Sequence, residues 1–104
     1  MTTQREAITR LETRRSVVAL AQGDLDTAHT SATIAVEMAP KQHVVSRAEA
    51  LLAQAAVAVV DQRRADAHGL VAEAIAVLSS SGYRVLRSRA ERMAERLATE
   101  SPAR

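Results

Sequence analysis

Histidine is the residue type in this chain best suited to metal or acid–base chemistry, and the three histidines are His29, His43 and His68. No two of them are four residues apart, as a metal-binding pair on one helix face would be, and the chain has no cysteine. Zinc is normally held by three or four protein ligands, mostly His and Cys. We therefore predict neither a metal site nor a cofactor.

Residues for nucleophilic or acid–base catalysis are no better placed. The serines at positions 79–81 lack the glycines of a nucleophile elbow and precede a glycine, which is typical of a helix end. Acidic pairs such as Glu91 and Glu95 fall on a predicted exposed face, where nothing would shift their pKa values for catalysis. The three glycines are too far apart to form a phosphate-binding loop. We predict that the protein is not an enzyme.

Arginine carries most of the positive charge and is the main candidate for binding. The chain has 14 Lys and Arg against 12 Asp and Glu, a formal net charge of +2. Arg89, Arg92 and Arg96 share one face of a predicted helix, and a guanidinium group can bind phosphate or carboxylate through two hydrogen bonds. Glu91 and Glu95 interleave with them, and no aromatic residue lies nearby to stack on bases. The pattern favours a solvated, salt-bridged face over a nucleic-acid site.

Alanine dominates the apolar residues, which make up 47% of the chain, and Tyr83 is the only aromatic residue. Alanine is the strongest helix former, and its small side chain lets helices approach closely. No segment has the pattern of a strand. We predict one all-α domain over residues 1–104, with about five helices.

The first two predicted helices form a hairpin over residues 3–40. Thr3 and Glu6 can make a capping box at its start, and Gly23 and Asp24 are suited to end one helix and cap the next. One apolar face of the first helix consists of Ile8, Leu11, Val18 and Ala21. One face of the second consists of Ala28, Ala32, Ala35 and Ala39. Pro40 then ends the second helix, and the short connection requires the two helices to run antiparallel.

Three further helices are predicted. The third is apolar nearly all round between residues 50 and 60, which indicates a central, covered helix. The fourth completes a second hairpin over residues 43–81, and its predicted inward residues are Ala67, Leu70 or Val71, Ala74 and Val77 or Leu78. The fifth, over residues 83–100, has an apolar stripe made of Leu86, Ala90, Met93 and Leu97. Its remaining residues are mostly Arg and Glu, so we predict a terminal capping helix.

The two hairpins repeat one another at a spacing of 39 residues. The positions that correspond are Gly23, Ala28, Ala35 and Pro40 in the first copy and Gln62, Ala67, Ala74 and Ser79 in the second. With these motifs the sequence resembles the tetratricopeptide-repeat family. It departs from the family pattern in its spacing, which is about 34 residues in the family. It also has Glu12 and Ala19 where the family has bulky aromatic residues.

The resemblance implies antiparallel helical hairpins stacked as a short right-handed solenoid, similar to the sensor regions of bacterial transcriptional regulators and signalling ATPases. In such a solenoid the concave side displays the first helix of each pair and binds a protein or peptide partner. On that basis we expect a non-catalytic regulatory module. The predicted partner-binding residues are Arg14, Arg15, Gln22, Arg47 and Gln54.

Two other functions stay open as alternatives. A nucleic-acid-associated regulator would place Arg89, Arg92 and Arg96 on backbone phosphates. A structural homodimer, or another homo-oligomer, would pack through the Ala-rich helix faces. The polar N-terminal residues and the lack of a long apolar run predict a cytoplasmic protein with no membrane partner.

Overall fold

The computed structural model describes residues 4–79 and 82–99, and these residues form five α-helices and no strand. The helices are α1 (Gln4–Ala21), α2 (Leu25–Met38), α3 (Val44–Val60), α4 (Arg64–Leu78) and α5 (Arg84–Thr99). The predicted all-α class and the number of helices are thus confirmed. The predicted cap at Thr3 and the predicted ends at residues 81 and 100 lie outside the described residues.

The turn between α1 and α2 has the backbone geometry that its glycine predicts. Gly23 adopts a φ of +80°, its N–H donates to the Leu20 carbonyl at 3.1 Å, and the Asp24 N–H donates to the Ala19 carbonyl at 2.9 Å. This pair of bonds is a Schellman motif, which satisfies carbonyls at a helix end and requires a left-handed residue. The Asp24 carboxylate then accepts from the Thr27 N–H at 3.2 Å and caps α2. Those hydrogen bonds with Thr27 lower the pKa of Asp24 below its ordinary value.

The turn between α3 and α4 repeats this geometry without a glycine. The Gln62 N–H donates to the Val59 carbonyl at 3.1 Å, and the Arg63 N–H donates to the Ala58 carbonyl at 2.8 Å. Gln62 adopts a φ of +62°, a left-handed conformation that costs a non-glycine residue about 1–2 kcal/mol. Arg63 makes no side-chain hydrogen bond as the N-cap of α4. The two turns therefore have the same backbone conformation, but only the first has a glycine at the left-handed position and a side-chain N-cap.

The buried positions of the second helices also repeat. Ala28 and Ala35 in α2 correspond to Ala67 and Ala74 in α4, and all four are fully buried. The predicted inward faces of α2 and α4 are confirmed, with Val71 and Leu78 chosen from the alternatives in α4. In α5, Ala90 and Leu97 are buried and the other two residues of its apolar stripe are partly buried, as predicted.

Helix α3 joins the two halves of the molecule. Its buried residues lie nearly all round the helix, as the apolar pattern predicts. Leu51 and Leu52 belong to a large core shared with α4 and α5, whereas Val57 packs in a smaller cluster with alanines of α1 and α2. Among the described residues, extensive contacts join consecutive helices and, in addition, α1 to α3. The molecule is correspondingly flat, with extents of 49 × 32 × 18 Å.

The predicted apolar face of α1 is wrong. Leu11 is 56% exposed and Val18 is 51% exposed, while the buried residues of α1 are Thr9, Ser16 and Ala19. The Ser16 hydroxyl donates to the Ala28 carbonyl at 2.8 Å, and the Thr9 hydroxyl donates to the Arg5 carbonyl at 2.9 Å. Because α1 lies against an alanine-rich helix, small side chains permit the close approach, and these hydrogen bonds satisfy their hydroxyls.

Two further contacts fix the ends of the helical array. The Glu6 carboxylate of α1 lies 3.2 Å from Nδ1 of His43, the N-cap of α3. At the other end, the Arg64 guanidinium of α4 donates to the Leu97 carbonyl of α5. Within residues 4–79 and 82–99, no helix combines the length and apolarity that crossing a bilayer demands.

Candidate functional site

The five predicted partner-binding residues do not meet in one place. Arg14, Arg15 and Gln22 lie along a shallow depression between α1 and α2, beside the exposed Leu11 and Val18. Arg15 is held there by an ion pair with Glu12 at 3.4 Å.

The other two members of the predicted set belong to separate surfaces. Arg47 pairs with Glu73 of α4 at 3.2 Å and lines a depression beside Pro40. Gln54 lies in a third depression, between α3 and α4. The first-helix positions chosen from sequence therefore point to at least three different surfaces.

A concave site does form between the first helices of the two hairpins and the fifth helix. It has a volume of about 400 Å³. Helix α1 contributes Arg10, Thr13, Arg14 and Val17, α3 contributes Ser46 and Glu49, and α5 contributes Arg89. Of the predicted residues, it brings together only Arg14 and Arg89.

A second hollow of about 350 Å³ adjoins the first and shares Glu49 and Arg89 with it. It follows the start of α5, where Arg84, Val85 and Leu86 form one wall with Tyr83, and Val45 of α3 forms the other. We call the two hollows together the α1–α3–α5 groove.

The groove is rich in arginines that have no ionic partner. Within the described part of the chain, Arg10, Arg14, Arg84 and Arg89 form no ion pair, whereas the arginines at positions 15, 47, 63 and 87 each pair with a carboxylate. Outside the groove, the arginines at positions 5, 64, 92 and 96 also form no ion pair with a described residue, and two of them, at positions 5 and 64, donate to backbone carbonyls instead. The groove contains a single carboxylate, Glu49, which also forms no ion pair with a described residue. Four cationic side chains thus surround one anionic side chain in a concave site.

Hydrogen-bonding groups and apolar side chains complete the lining. The Thr13 hydroxyl oxygen is buried and has no hydrogen-bond partner among the described residues. Val17 is 52% exposed on the α1 wall, and Val85 is 85% exposed on the α5 wall. The groove can therefore offer charge and apolar contact to one ligand.

Only one of the three arginines in the predicted stripe of α5 lines the groove. Arg89 lines it, whereas Arg92 and Arg96 are exposed and lie outside its lining. The ion pair that α5 does form joins Arg87 to Glu91 at 3.2 Å. A pair between Arg96 and residue 100 would involve a residue that is not described.

The histidines have separate environments. His29 and His68 are exposed at corresponding positions of α2 and α4, and His43 pairs with Glu6. In the residues that the structure describes, no three His, Cys, Asp or Glu side chains are grouped as metal ligands would be.

Sequence reasoning missed Arg10, Arg84 and Glu49 as members of one site. The sequence did contain a signal for Arg10 and Glu49, because they occupy corresponding positions of the 39-residue repeat. A further step of 39 residues from Glu49 falls one residue before Arg89. No family model matches the chain, and no curated protein or solved structure is significantly similar to it.

Proposed function

We propose that this protein is a non-catalytic interaction module, built as a short right-handed tetratricopeptide-like solenoid that binds a peptide or helix of a partner protein. The solenoid arrangement is supported by the packing of each helix on the next and of α1 on α3. It is further supported by the two matching Schellman turns and by the repeated buried alanines. We assign the module to the regulatory part of a bacterial signalling or transcription system, on its resemblance to sensor repeats.

The observation that carries the proposal is the α1–α3–α5 groove. Its walls come from the first helix of each hairpin and from the capping helix, which is the concave side of such an array. Binding sites are usually concave, mostly preformed, and lined by apolar residues with a few polar groups. The exposed valines and the unpaired arginines of this groove fit that description.

A photo-crosslinking experiment tests the groove directly. Peptides selected from a random phage-displayed library would be added to protein that carries a photo-crosslinking residue at Val17 or Val85. Matched control proteins would carry the same residue at His29 or His68, which are exposed on the second helices. We expect crosslinks from the groove positions and none from the controls. Failure to select any binding peptide, or crosslinking only at the controls, would overturn the proposal.

Nucleic-acid binding is a second candidate, favoured by the lack of described ion pairs for Arg89, Arg92 and Arg96. Contacts of this kind release counterions, so affinity would fall steeply as salt is raised. A mobility shift with duplex DNA at low salt, lost when the three arginines become Glu, would establish this function. An unchanged shift, or none, would exclude it.

A homodimer through the Ala-rich helix faces, as predicted from the sequence, is contradicted because those faces are buried between the helices of one molecule. Self-association through the half-exposed Leu11 and Val18 on α1 is a third candidate. Light scattering across a range of concentrations tests it, and the variant L11E should remain monomeric if this face pairs. A wild-type protein that is monomeric at the highest concentration would exclude the dimer.

A further inference from the structure

We propose that the partner segment bound in the α1–α3–α5 groove is acidic, with carboxylates alternating with apolar side chains along an extended peptide. This inference rests on the proposed function and names the chemistry of its ligand. It follows from the charges, the spacing and the apolar walls of the groove.

Four arginines, at positions 10, 14, 84 and 89, give the groove its positive charge. Elsewhere in the described residues, Arg47 pairs with Glu73 across two helices at 3.2 Å. In the groove, Glu49 alone cannot neutralise four guanidinium groups. Carboxylates from a ligand would make charge-assisted, bidentate hydrogen bonds with them, in a concave site where water screens less than at an open surface.

The spacing of the two groove arginines on α1 matches that of an extended peptide. Arg10 and Arg14 are four residues apart, which separates them by about 6 Å along the helix axis. Alternate residues of an extended peptide are separated by about 6.6 Å and point to the same side. An extended segment lying along α1 can therefore place one carboxylate on each guanidinium.

The intervening residues of such a segment would point away from these arginines. Val85 offers exposed apolar surface on the α5 wall of the groove, and Val45 and Leu86 are partly buried beside the start of α5. Apolar side chains at the alternate positions would bury this surface.

A peptide fits the groove better than a nucleic acid does. A peptide backbone can donate an N–H to the Glu49 carboxylate, whereas a DNA phosphodiester backbone has no donor to offer it. Arg92 and Arg96, which a phosphate-binding stripe would need, lie outside the groove lining.

The test measures binding of a fluorescently labelled peptide of about 12 residues, in which Glu alternates with Val or Ala. The reference peptide has Gln at every Glu. Fluorescence anisotropy at low salt should show that the Glu peptide binds at least about tenfold more tightly, with an advantage that shrinks as salt is added. Equal binding of the two peptides would overturn the acidic partner.

Protein variants locate the binding. R10E/R14E should weaken the Glu peptide at least about tenfold, whereas R92E/R96E, which makes the same change in net charge, should alter it less than about twofold. Circular dichroism would verify that each variant is folded, and R10Q/R14Q provides a milder change at the same sites. Equal losses in the two charge-reversal variants would indicate a general charge effect and overturn the inference.

The same assay separates this inference from the proposed function. If phage-selected neutral peptides bind in the groove and the Glu peptide does not, the acidic partner is wrong and the interaction module stands. If no peptide binds, both fail. If duplex DNA binds instead and R92E/R96E abolishes that binding, the partner is nucleic acid and the inference is overturned.

Discussion

The two hairpins have the same backbone design and different interiors. At corresponding positions of their first helices, α1 buries Thr9 and Ser16 where α3 buries Ala48 and Ala55. The half-buried Glu12 of α1 likewise corresponds to Leu51 of α3, which belongs to the main core. The first hairpin is thus held by close approach and hydrogen bonds, whereas the second is held mainly by apolar burial.

This difference affects which of the two first helices can supply residues to a binding site. Helix α1 contributes four residues to the groove and is covered on fewer sides than α3. Its charged and polar residues can serve a binding site because the large core lies in the second hairpin and α5. The same fold position can therefore stabilise the molecule in one copy and contribute to the proposed ligand surface in the other.

The largest expected difference between the hairpins comes from truncating corresponding first-helix residues. Leu51→Ala removes a fully buried side chain and should lower the free energy of unfolding by about 3 kcal/mol. Glu12→Ala removes an ion pair with Arg15 but also a buried carboxylate oxygen that has no hydrogen-bond partner among the described residues. These effects oppose each other, so the free energy of unfolding should change by less than about 1 kcal/mol. Urea unfolding measures the loss of stability in both variants. Equal losses would show that the two hairpins do not differ in how much their first helices contribute to the core.

Exchanging serine and alanine at corresponding buried positions of α1 and α3 should have a smaller effect on stability. Ala55→Ser places a hydroxyl group in a fully buried apolar site and should cost about 1–3 kcal/mol. Ser16→Ala removes the hydrogen bond to the Ala28 carbonyl and should cost about 1 kcal/mol. Chemical denaturation of the two variants supplies the comparison. A neutral Ser16→Ala would mean that its hydroxyl does not help to join α1 to α2.

The residues with positive φ in the two turns can each be replaced by the residue type of the other turn. Each replacement should change the free energy of unfolding by about 1 kcal/mol or less. Gln62→Gly should raise the free energy of unfolding by about 0.5–1 kcal/mol, because glycine adopts the positive φ without strain. Gly23→Gln should lower it by about 1 kcal/mol for the same reason.

Thermal or urea unfolding would measure both turn variants. Gly69→Ala is the control for glycine content, since Gly69 lies inside α4 with open space around its Cβ position. A destabilising Gln62→Gly would show that the glutamine side chain itself holds the turn.

The smallest expected effect is acid sensitivity confined to the first turn. The pKa of Asp24 is lowered by its hydrogen bonds with Thr27, so its contribution to stability is present above its unfolded-state pKa. That contribution is lost as the pH falls through the lowered folded-state value. The protection factor of the Thr27 amide, which corrects for the intrinsic pH dependence of exchange, should fall on acidification, and Asp24→Asn should remove that fall. At the second turn, where Arg63 makes no cap bond, the protection factor of the Asp66 amide should show no such fall.

Much of the fold could be predicted because its signals are local. Gly23 sets a left-handed turn and Asp24 caps the next helix, and both need only their neighbours in sequence. The alanine faces of α2 and α4 were likewise correct, since helical periodicity alone places them on one side. The candidate site was recovered only in part, through Arg14 and Arg89.

What the sequence determined by itself was the number of helices, their turns and the repeat that relates the hairpins. The tertiary structure decided which face of α1 is buried, because the apolar Leu11 and Val18 have no neighbouring helix to cover them while Ser16 does. It also decided the site, since Arg10, Glu49 and Arg89 lie on three helices and meet only through packing. Periodicity defines the faces of a helix, but the helices that pack against it determine which face becomes core and which becomes surface.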